Sequence, residues 1–341
     1  MTRKMATIRK IDLVLPIKGA DAIECAQLGG WNVVIRKGEY SAGDLAIYCE
    51  IDSWIPNSRA PFLTRPDQQP HVYEGVPGER LRTVKLRGQL SQGLLLPMSC
   101  LTNFGADLWN GHDVSEELGI LKWEAPIPAN LSGDAKGLFP TFIPKTDQER
   151  IQNLAAEYLQ WKGDDLTWEI TEKLDGSSMT VFYRDGEFGV CSRNLELKQD
   201  EFNSMWKIAI RDKLQEKLAF LNRNLALQGE IIGEGIQKNL YKIKGQEFYI
   251  FDIYDIDTRK YFTPQERKTF ITELGFKHVP VISSKTPLFY YTVADLIQMA
   301  EGHSLMGDIV GPTREGLVFK CNERQLSFKT ISNKFLIKNG E

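Results

Sequence analysis

The sequence predicts an α+β protein of two domains. Three observations lead to this prediction: a strand-rich first third without a long helix, a stretch rich in Pro and Gly near the middle, and alternating strands and helices from there to the end. The length of 341 residues agrees, because a domain usually holds roughly 100 to 200 residues. We predict a first domain at 1–125, a linker at 126–146 and a second domain at 147–341.

The first domain is predicted to be a small barrel or sandwich. Its strand-like segments are rich in β-branched and aromatic residues and are separated by turn residues. They read WNVVI (31–35), DLAIYCEI (44–51), RLRTVKLRG (80–88) and QGLLLPM (92–98). The linker that follows, with the sequence APIPANLSGDAKGLFPTFIPKT, has no periodicity.

The second domain mixes helices with strands. DQERIQNLAAEYLQW (147–161) has helical spacing, with Asp147 as N-cap. Three further helices are predicted in EFNSMWKIAIRDKLQEKLAFLN (201–222), TPQERKTFITELG and TVADLIQMAEG. The strand-like segments are LTWEITEKLDG, SMTVFYRDG, EFGVCSRN, LALQGEIIG, EFYIFDIYDI, GLVFKCN and LSFKTI.

Composition narrows the function classes. The 42 Lys and Arg against 45 Asp and Glu give a net charge of −3, which excludes nucleic-acid binding through bulk positive charge, so any polyanion site is local. No apolar run is long enough to span a bilayer and the N-terminus lacks a signal-peptide pattern, so we expect a cytoplasmic protein without a membrane partner. The five scattered cysteines indicate reduced thiols rather than disulfides or a zinc site.

One turn between strand-like segments concentrates chemistry-bearing residues. Glu172-Lys173-Leu174-Asp175-Gly176 places a lysine beside carboxylates and a glycine. An ordinary hairpin turn is the alternative, since Asp-Gly is a common hairpin signal. The segments SRN (192–194), FYIFD (248–252), EGLVFK (315–320) and SFK (327–329) follow in the chain.

In this order, K-x-D-G, SRN, FYIFD, EGLVFK and SFK resemble motifs I, Ia, III, IV and V of the covalent nucleotidyltransferases, the superfamily of ligases and capping enzymes. The resemblance covers residues 147–341 and implies a nucleotidyltransferase domain of antiparallel sheets with flanking helices. It also implies that Lys173 attacks the α-phosphorus of ATP. A free lysine is almost entirely protonated at neutral pH, so a nearby cation or desolvation must perturb it.

The resemblance also implies roles for other residues. Asp175 and Glu315 would bind Mg²⁺ or Mn²⁺, directly or through water, and Lys329 would contact the α-phosphate. Glu230 would hold the ribose, and Phe248 would stack on the base, with Phe251 as the alternative. The remaining nucleotide-binding candidates are Glu172, Lys320, Arg150 and Arg193, of which Arg193 would also contact phosphate of the nucleic-acid end.

The order of domains favours one branch of the superfamily. Too few residues follow Lys329 to form the OB domain that DNA ligases and capping enzymes generally have there, whereas a barrel-like segment precedes the catalytic domain. This order resembles the ATP-dependent RNA ligases of the Naegleria and Deinococcus type, which implies an N-terminal OB fold. One departure is that several RNA ligases have K-x-K in motif V, whereas Ile331 stands at the second position here. Lys334 or Lys320 could substitute.

The first domain offers a candidate nucleic-acid surface. Arg80 and Arg82 would share one strand face, and Lys85 and Arg87 the other. With Trp54 and Tyr73 nearby in sequence, an OB barrel could bind a phosphate backbone there and stack bases. A solvated hairpin is the alternative.

Together these features predict a monomeric ATP-dependent RNA ligase that acts in RNA repair. It would seal 3′-OH and 5′-phosphate RNA ends, single-stranded or held in a duplex, through lysyl-AMP and RNA-adenylate intermediates. The alternatives are a ligase for DNA or RNA/DNA nicks and a catalytically inactive nucleic-acid-binding homologue. The intact Lys173, Asp175, Glu315 and Lys329 speak against the inactive form.

Overall fold

The computed structural model describes residues 3–101, 109–124, 134–306 and 311–339. The chain divides into two compact units, one of residues 1–126 together with 336–341 and one of residues 127–335. Residues 126–133 of the predicted linker lie outside the described residues.

The first unit is built from short strands and one short helix. The helix is α1 (Ser115–Leu118). The strands are β1 (Ala6–Lys10), β2 (Leu13–Pro16), β3 (Ile23–Leu28), β4 (Trp31–Arg36), β5 (Leu45–Cys49), β6 (Ser53–Pro56), β7 (His71–Tyr73), β8 (Val76–Arg80), β9 (Thr83–Leu86), β10 (Gln89–Gln92), β11 (Leu94–Leu96) and β12 (Leu121–Lys122).

The core of this unit lies on both faces of the sheet β1-β5-β11. Successive side chains of β5 point to opposite faces. Ala46 and Tyr48 therefore join one apolar cluster, whereas Ile47 and Cys49 join the other. This explains why the strand reads as a nearly continuous apolar run.

The segment RLRTVKLRG forms two strands instead of the single predicted one. β8 ends at Arg80, and β9 begins at Thr83 and pairs with β10 in a separate hairpin. The buried Leu81, with its backbone bonded to Ser53 and Asp52, breaks the alternation between them.

The second unit contains the other strands and helices. The strands are β13 (Ala135–Leu138), β14 (Thr167–Lys173), β15 (Ser177–Arg184), β16 (Glu187–Cys191), β17 (Leu195–Leu197), β18 (Leu225–Gly233), β19 (Gln246–Asp255), β20 (Lys260–Tyr261), β21 (Lys277–His278), β22 (Val281–Pro287), β23 (Gly316–Cys321) and β24 (Ser327–Ile331). The helices are α2 (Ala155–Gly163), α3 (Ser204–Arg211), α4 (Leu214–Leu221), α5 (Pro264–Glu273) and α6 (Val293–Ala300). A last helix, α7 (Asn333–Asn339), begins in this unit, and its residues from 336 on are assigned to the first unit.

Two sheets organise this unit. One has the order β13-β17-β16-β15-β18-β19-β20, with β21 added parallel to β19, and the other has the order β22-β14-β23-β24. Residues of α3 and α4 join the apolar cluster on one face of the larger sheet, and α2 and α6 join the cluster of the smaller sheet. The α+β prediction is confirmed. Among the described residues, no helix is both long and apolar enough to cross a bilayer.

Two predicted helices differ from those observed. The helix predicted at 147–161 begins later, with a 3₁₀ turn at Ile151–Leu154 followed by α2, because Arg150 forms a β-bridge to Lys329. Asp147 is therefore not an N-cap. The helix predicted at 201–222 is split into α3 and α4 at Lys213, whose φ is 52°.

Candidate active site

Lys173 is the last residue of β14 and pairs with Gly316, the first residue of β23. This register brings the preceding residue, Glu315, beside the lysine, and Nζ of Lys173 lies 2.6 Å from Oε1 of Glu315. A Cβ on Gly316 would lie 2.2 Å from the carbonyl oxygen of Thr330, so only glycine fits. The sequence Glu-Gly thus places a carboxylate at the lysine.

The K-x-D-G segment is a crossover between sheets, and the hairpin alternative is wrong. β14 belongs to the smaller sheet and β15 to the larger one. The backbone N–H of Asp175 donates to the Tyr241 hydroxyl at 2.7 Å. A Cβ on Gly176 would lie 2.2 Å from the carbonyl oxygen of Ile231. The glycine is required because the crossover passes directly over β18.

Three carboxylates set the charge state of Lys173. Desolvation by burial acts to lower its pKa, but Glu315, Glu230 and Asp175 outweigh this and raise the pKa above the ordinary value. Burial in turn raises the pKa of Glu315, and it raises the pKa of Glu230 to about 8. Without a bound cation the lysine is therefore an ammonium ion, which is not a nucleophile.

The same carboxylates fit a divalent cation. Oε2 of Glu315 is buried and has no hydrogen-bond partner among the described residues. Glu315, Asp175 and Glu230 are hard oxygen donors, which suit Mg²⁺ or Mn²⁺. Within the described part of the chain, no three His, Cys, Asp or Glu residues converge closely enough to hold an ion alone. An ion bound here would therefore keep part of its water shell.

A second cluster of charges gathers around Asp147. Lys329 Nζ donates to Oδ1 of Asp147 at 3.0 Å, and Arg193 Nη2 lies 3.8 Å from Oδ2. Arg150 is buried and forms the β-bridge to Lys329. Sequence reasoning missed Asp147 because an aspartate before a helical pattern looks like a cap. The structure thus places two predicted cations, Arg193 and Lys329, at the carboxylate of Asp147. It places a third, Arg150, beside Lys329 in the backbone.

Glu172 points away from this cluster. Its side chain is 1% exposed, and Oε2 accepts a hydrogen bond from the backbone N–H of Leu305 at 2.8 Å. Burial raises the pKa of this carboxyl group. Oε1 has no hydrogen-bond partner among the described residues, so it remains available as an acceptor.

The first choice for a base-stacking residue needs correction. Phe248 is 4% exposed and lies in the apolar cluster shared with α3 and α4. Phe251 lies on the other face of β19, in the cluster that contains Leu174 and Ile232 beside the lysine turn. Ordinary alternation along the strand places Phe248 and Phe251, three residues apart, on opposite faces. Of the two candidates, Phe251, the alternative, is therefore the one on the site side.

Lys320 is buried away from Lys173. Its Nζ donates to Oδ1 of Asp252 at 2.6 Å and to the carbonyl oxygen of Phe251. Desolvation by burial lowers its pKa to about 8. These bonds hold Lys320 in place, so it does not substitute for the missing second lysine of motif V, but they position Phe251.

Of the four predicted cations of the first unit, Arg80 is engaged within the unit and the other three are exposed. Nη2 of Arg80 donates a hydrogen bond to Oδ1 of Asp52 at 2.6 Å. The guanidinium of Arg80 also lies 3.7 Å from the centre of the Trp123 ring. Arg82 lies between strands, so it does not share a strand face with Arg80. Lys85 in β9 and Arg87 in the following turn are exposed.

The aromatic residues predicted to stack bases there are internal. Trp54 is buried, and its ring centre lies 5.4 Å from that of Tyr73. Tyr73 accepts a hydrogen bond from the backbone N–H of Glu124. Both rings are occupied by contacts within the unit.

Known proteins resemble the chain along nearly all of its length. The family model for RNA ligase matches residues 166–338, and a model for an OB-fold domain matches residues 5–98, which confirms the predicted OB fold. A search of curated proteins found no match.

Solved structures of Naegleria gruberi RNA ligase are similar to this fold. An apo form of an aspartate-to-alanine mutant is 51% identical and has a TM-score of 0.89, with 98% of this chain and 97% of that chain covered. A lysine-to-methionine mutant with AMP and Mn and a form with PPi are each 51% identical with a TM-score of 0.88, with 98% of both chains covered. Identity of this extent, together with the family match, shows that the chain belongs to the RNA ligase family.

Proposed function

We propose that this ATP-dependent RNA ligase works through Lys173 and seals 3′-OH and 5′-phosphate RNA ends. The observation on which the proposal rests is the ion pair of Lys173 with Glu315 at the crossover between two sheets. It places a lysine among three carboxylates, where a divalent cation would change the charge state of the lysine.

The reaction comprises three displacements at phosphorus. Nζ of neutral Lys173 attacks the α-phosphorus of ATP, a P–N bond forms, and pyrophosphate leaves. The 5′-phosphate of RNA then attacks the same phosphorus, so AMP passes to the RNA and the lysine is released. Finally the 3′-OH attacks the 5′-phosphorus, a phosphodiester bond forms, and AMP leaves.

A divalent cation near the α-phosphate would supply charge that offsets the charge developing on oxygen and lowers the pKa of the lysine. Asp175 and Glu315 would hold it, in part through water. Glu315 also orients Nζ of Lys173 through the bond at 2.6 Å. Once the carboxylate is neutralised by a cation, it no longer stabilises the ammonium form, and the lysine loses its proton more easily.

The remaining groups bind and orient ATP. Lys329 and Arg150 would contact its phosphates, with Asp147 fixing the side chain of Lys329 until the substrate arrives. Arg193 would contact the phosphate of the RNA end. Glu230 would accept from the ribose hydroxyls, Phe251 would stack on the base, and Glu172 Oε1 would accept from the base or ribose.

The Naegleria gruberi structures support these roles. Five of the residues mutated in them are, in order along that chain, a lysine, an aspartate, a glutamate, a second glutamate and a second lysine. The intervals between those residues equal the intervals between Lys173, Asp175, Glu230, Glu315 and Lys329 here. Forms of that enzyme with ATP and Mn and with AMP and Mn support the same cofactors for this chain.

The first unit would bind nucleic acid through its exposed cations. Arg82, Lys85 and Arg87 are exposed in and beside the hairpin of β9 and β10. Arg80 would serve structure instead, since Asp52 and Trp123 engage it. This division assigns residues 1–125 to RNA binding and residues 147–341 to catalysis, with a linker between them.

We also propose a monomer in the cytoplasm. The five cysteines are free, and four of them are buried, as expected of thiols kept in a reducing compartment.

A panel of 5′-phosphorylated ends tests the choice of substrate. RNA and DNA strands, each single-stranded or nicked in a duplex, are assayed for sealing with ATP and Mg²⁺. We expect sealing of RNA ends. Faster sealing of a DNA nick would favour the DNA ligase alternative, and lysyl-AMP formation without sealing of any end would contradict the proposal.

A further inference from the structure

A cavity of about 460 Å³ lies in the second unit and adjoins the nucleotide site at Asp147, which lines it. Lys173, Glu230 and Glu315 are not among its lining residues. It includes Lys320, which is five residues beyond Glu315 and therefore roughly 16 Å away along the strand. The ligase reaction as derived above uses Asp147 to fix Lys329 but assigns no ligand to the cavity itself.

Positive charge dominates the lining. The cationic side chains are Lys145, Arg259, Arg267, Lys320 and Arg324, against the carboxylates of Asp147 and Asp252. Both carboxylates already have cationic partners, because Lys320 lies 2.6 Å from Asp252 and Lys329 lies 3.0 Å from Asp147. Arg324 in turn pairs with Asp164 at 2.7 Å.

The unsatisfied side chain of Arg267 indicates that the cavity binds a ligand. Its side chain is fully buried, Nη2 donates to Glu169, and Nε donates to Nε2 of His278 at 3.0 Å. Nη1 has no hydrogen-bond partner among the described residues, and Oδ1 of Asp252 lies 3.8 Å from it, beyond hydrogen-bond distance. A buried charged donor without an acceptor costs free energy, which a bound anion would recover.

Two further features add positive potential. Arg259 is exposed at the cavity and forms no ion pair within the described ranges. The first turn of α5 also faces the cavity through Thr263 and Pro264, so the positive end of the helix dipole is directed there. Glu266 belongs to the capping box with Thr263 and offsets part of this potential.

We propose that this cavity is a second anion site, which binds a phosphate group through Nη1 of Arg267 and the guanidinium of Arg259. Arginine donors suit a phosphate because their geometry matches its oxygens. The phosphoryl group could come from inorganic phosphate or from an RNA 5′-phosphate, and the two sources are tested separately.

The test is calorimetric titration of the full-length protein with inorganic phosphate. Arg259→Gln should weaken this binding at least about tenfold, because a charge-assisted hydrogen bond is lost. Arg65→Gln, a change of another exposed arginine in the first unit, should leave it unchanged. Lys173→Ala alters the nucleotide site at a residue whose partner Glu315 does not line the cavity, and it should also leave phosphate binding in place.

Two outcomes would overturn the proposal. One is Arg259→Gln protein that binds phosphate as the wild type does, and the other is loss of all phosphate binding in Lys173→Ala. Arg267→Gln is a second variant, which removes the other proposed phosphate donor and should also weaken phosphate binding. Its Tm without phosphate is measured as well, because Arg267 is buried and its loss could affect folding. A 5′-phosphorylated ribotrinucleotide identifies the source: weakened binding of it in Arg259→Gln indicates an RNA phosphate, and an effect on inorganic phosphate alone indicates the free anion.

Discussion

Nζ of Lys173 lies 2.6 Å from Oε1 of Glu315, although the two residues are 142 positions apart in sequence. The antiparallel register of β14 and β23 creates this contact. It stabilises the ammonium form of the lysine, so the enzyme without a cation holds its nucleophile in an unreactive state. A cation at the carboxylates therefore does two things, since it frees the lysine from Glu315 and offsets charge on the phosphate.

Glu315→Gln should lower the rate of lysyl-AMP formation by orders of magnitude. Glutamine keeps the size of the side chain but removes the charge that would hold a divalent cation. The measurement is single-turnover transfer of label from ATP at saturating Mg²⁺, with exposed Glu273→Gln as the control. A near-normal rate for Glu315→Gln would show that hydrogen bonding, not charge, is what the residue supplies.

Glu230 should make the metal-free protein less stable as pH rises. Burial raises its pKa to about 8, whereas in the unfolded chain it titrates near 4.5. Between these values the folded state binds more protons than the unfolded state, so the free energy of unfolding contributed by this group falls with increasing pH.

Glu230→Gln removes this titration. We expect the Tm of the variant, relative to wild type, to increase from pH 5 to pH 8 in EDTA. Each Tm would be measured by the loss of near-UV circular dichroism. A constant difference between the two proteins across that range would contradict the assignment.

Phe251 and Phe248 should respond differently to alanine. Phe251→Ala should raise the KM for ATP by removing a stacking surface, with a small change in stability. Phe248→Ala should cost about 3–5 kcal/mol of stability, because it empties a site in a packed core. Urea unfolding and the KM for ATP are measured for both proteins. Equal KM effects in folded protein would restore Phe248 as a base-stacking candidate.

Parts of this site can be predicted from the sequence because the residues that act together are neighbours in the chain. Lys173 and Asp175 belong to one turn, and Glu315 and Gly316 are neighbours, so each short segment predicts its own role. Asp147 and Arg267 were not predicted, since their partners are far away in the chain and only the folded sheets bring them together.

The aromatic residues show a second kind of difficulty. Alternation along FYIFD separates Phe248 from Phe251, but the sequence does not say which face of the strand meets the lysine turn. Likewise, RLRTVKLRG looks like one strand until Leu81 is seen to be buried between two. Tertiary packing decides both cases.

Charge reversal in the first unit should affect sealing more than adenylylation. Lys85→Glu combined with Arg87→Glu removes two exposed cations, so RNA affinity and its dependence on salt should both decrease. Lys18→Glu combined with Arg65→Glu is a control at other exposed sites. Rates of lysyl-AMP formation and of strand sealing are compared, and equal loss of both would assign these residues to the nucleotide step or to folding.

The most direct test of the account is to locate the AMP adduct by tandem mass spectrometry. Purified protein is incubated with ATP and Mg²⁺, digested and sequenced, and Lys173→Ala and Lys244→Ala are treated in the same way. We predict AMP on Lys173 in the wild type and in Lys244→Ala, and no adduct in Lys173→Ala. An adduct on any other residue, or undiminished AMP transfer to Lys173→Ala, would contradict the central claim.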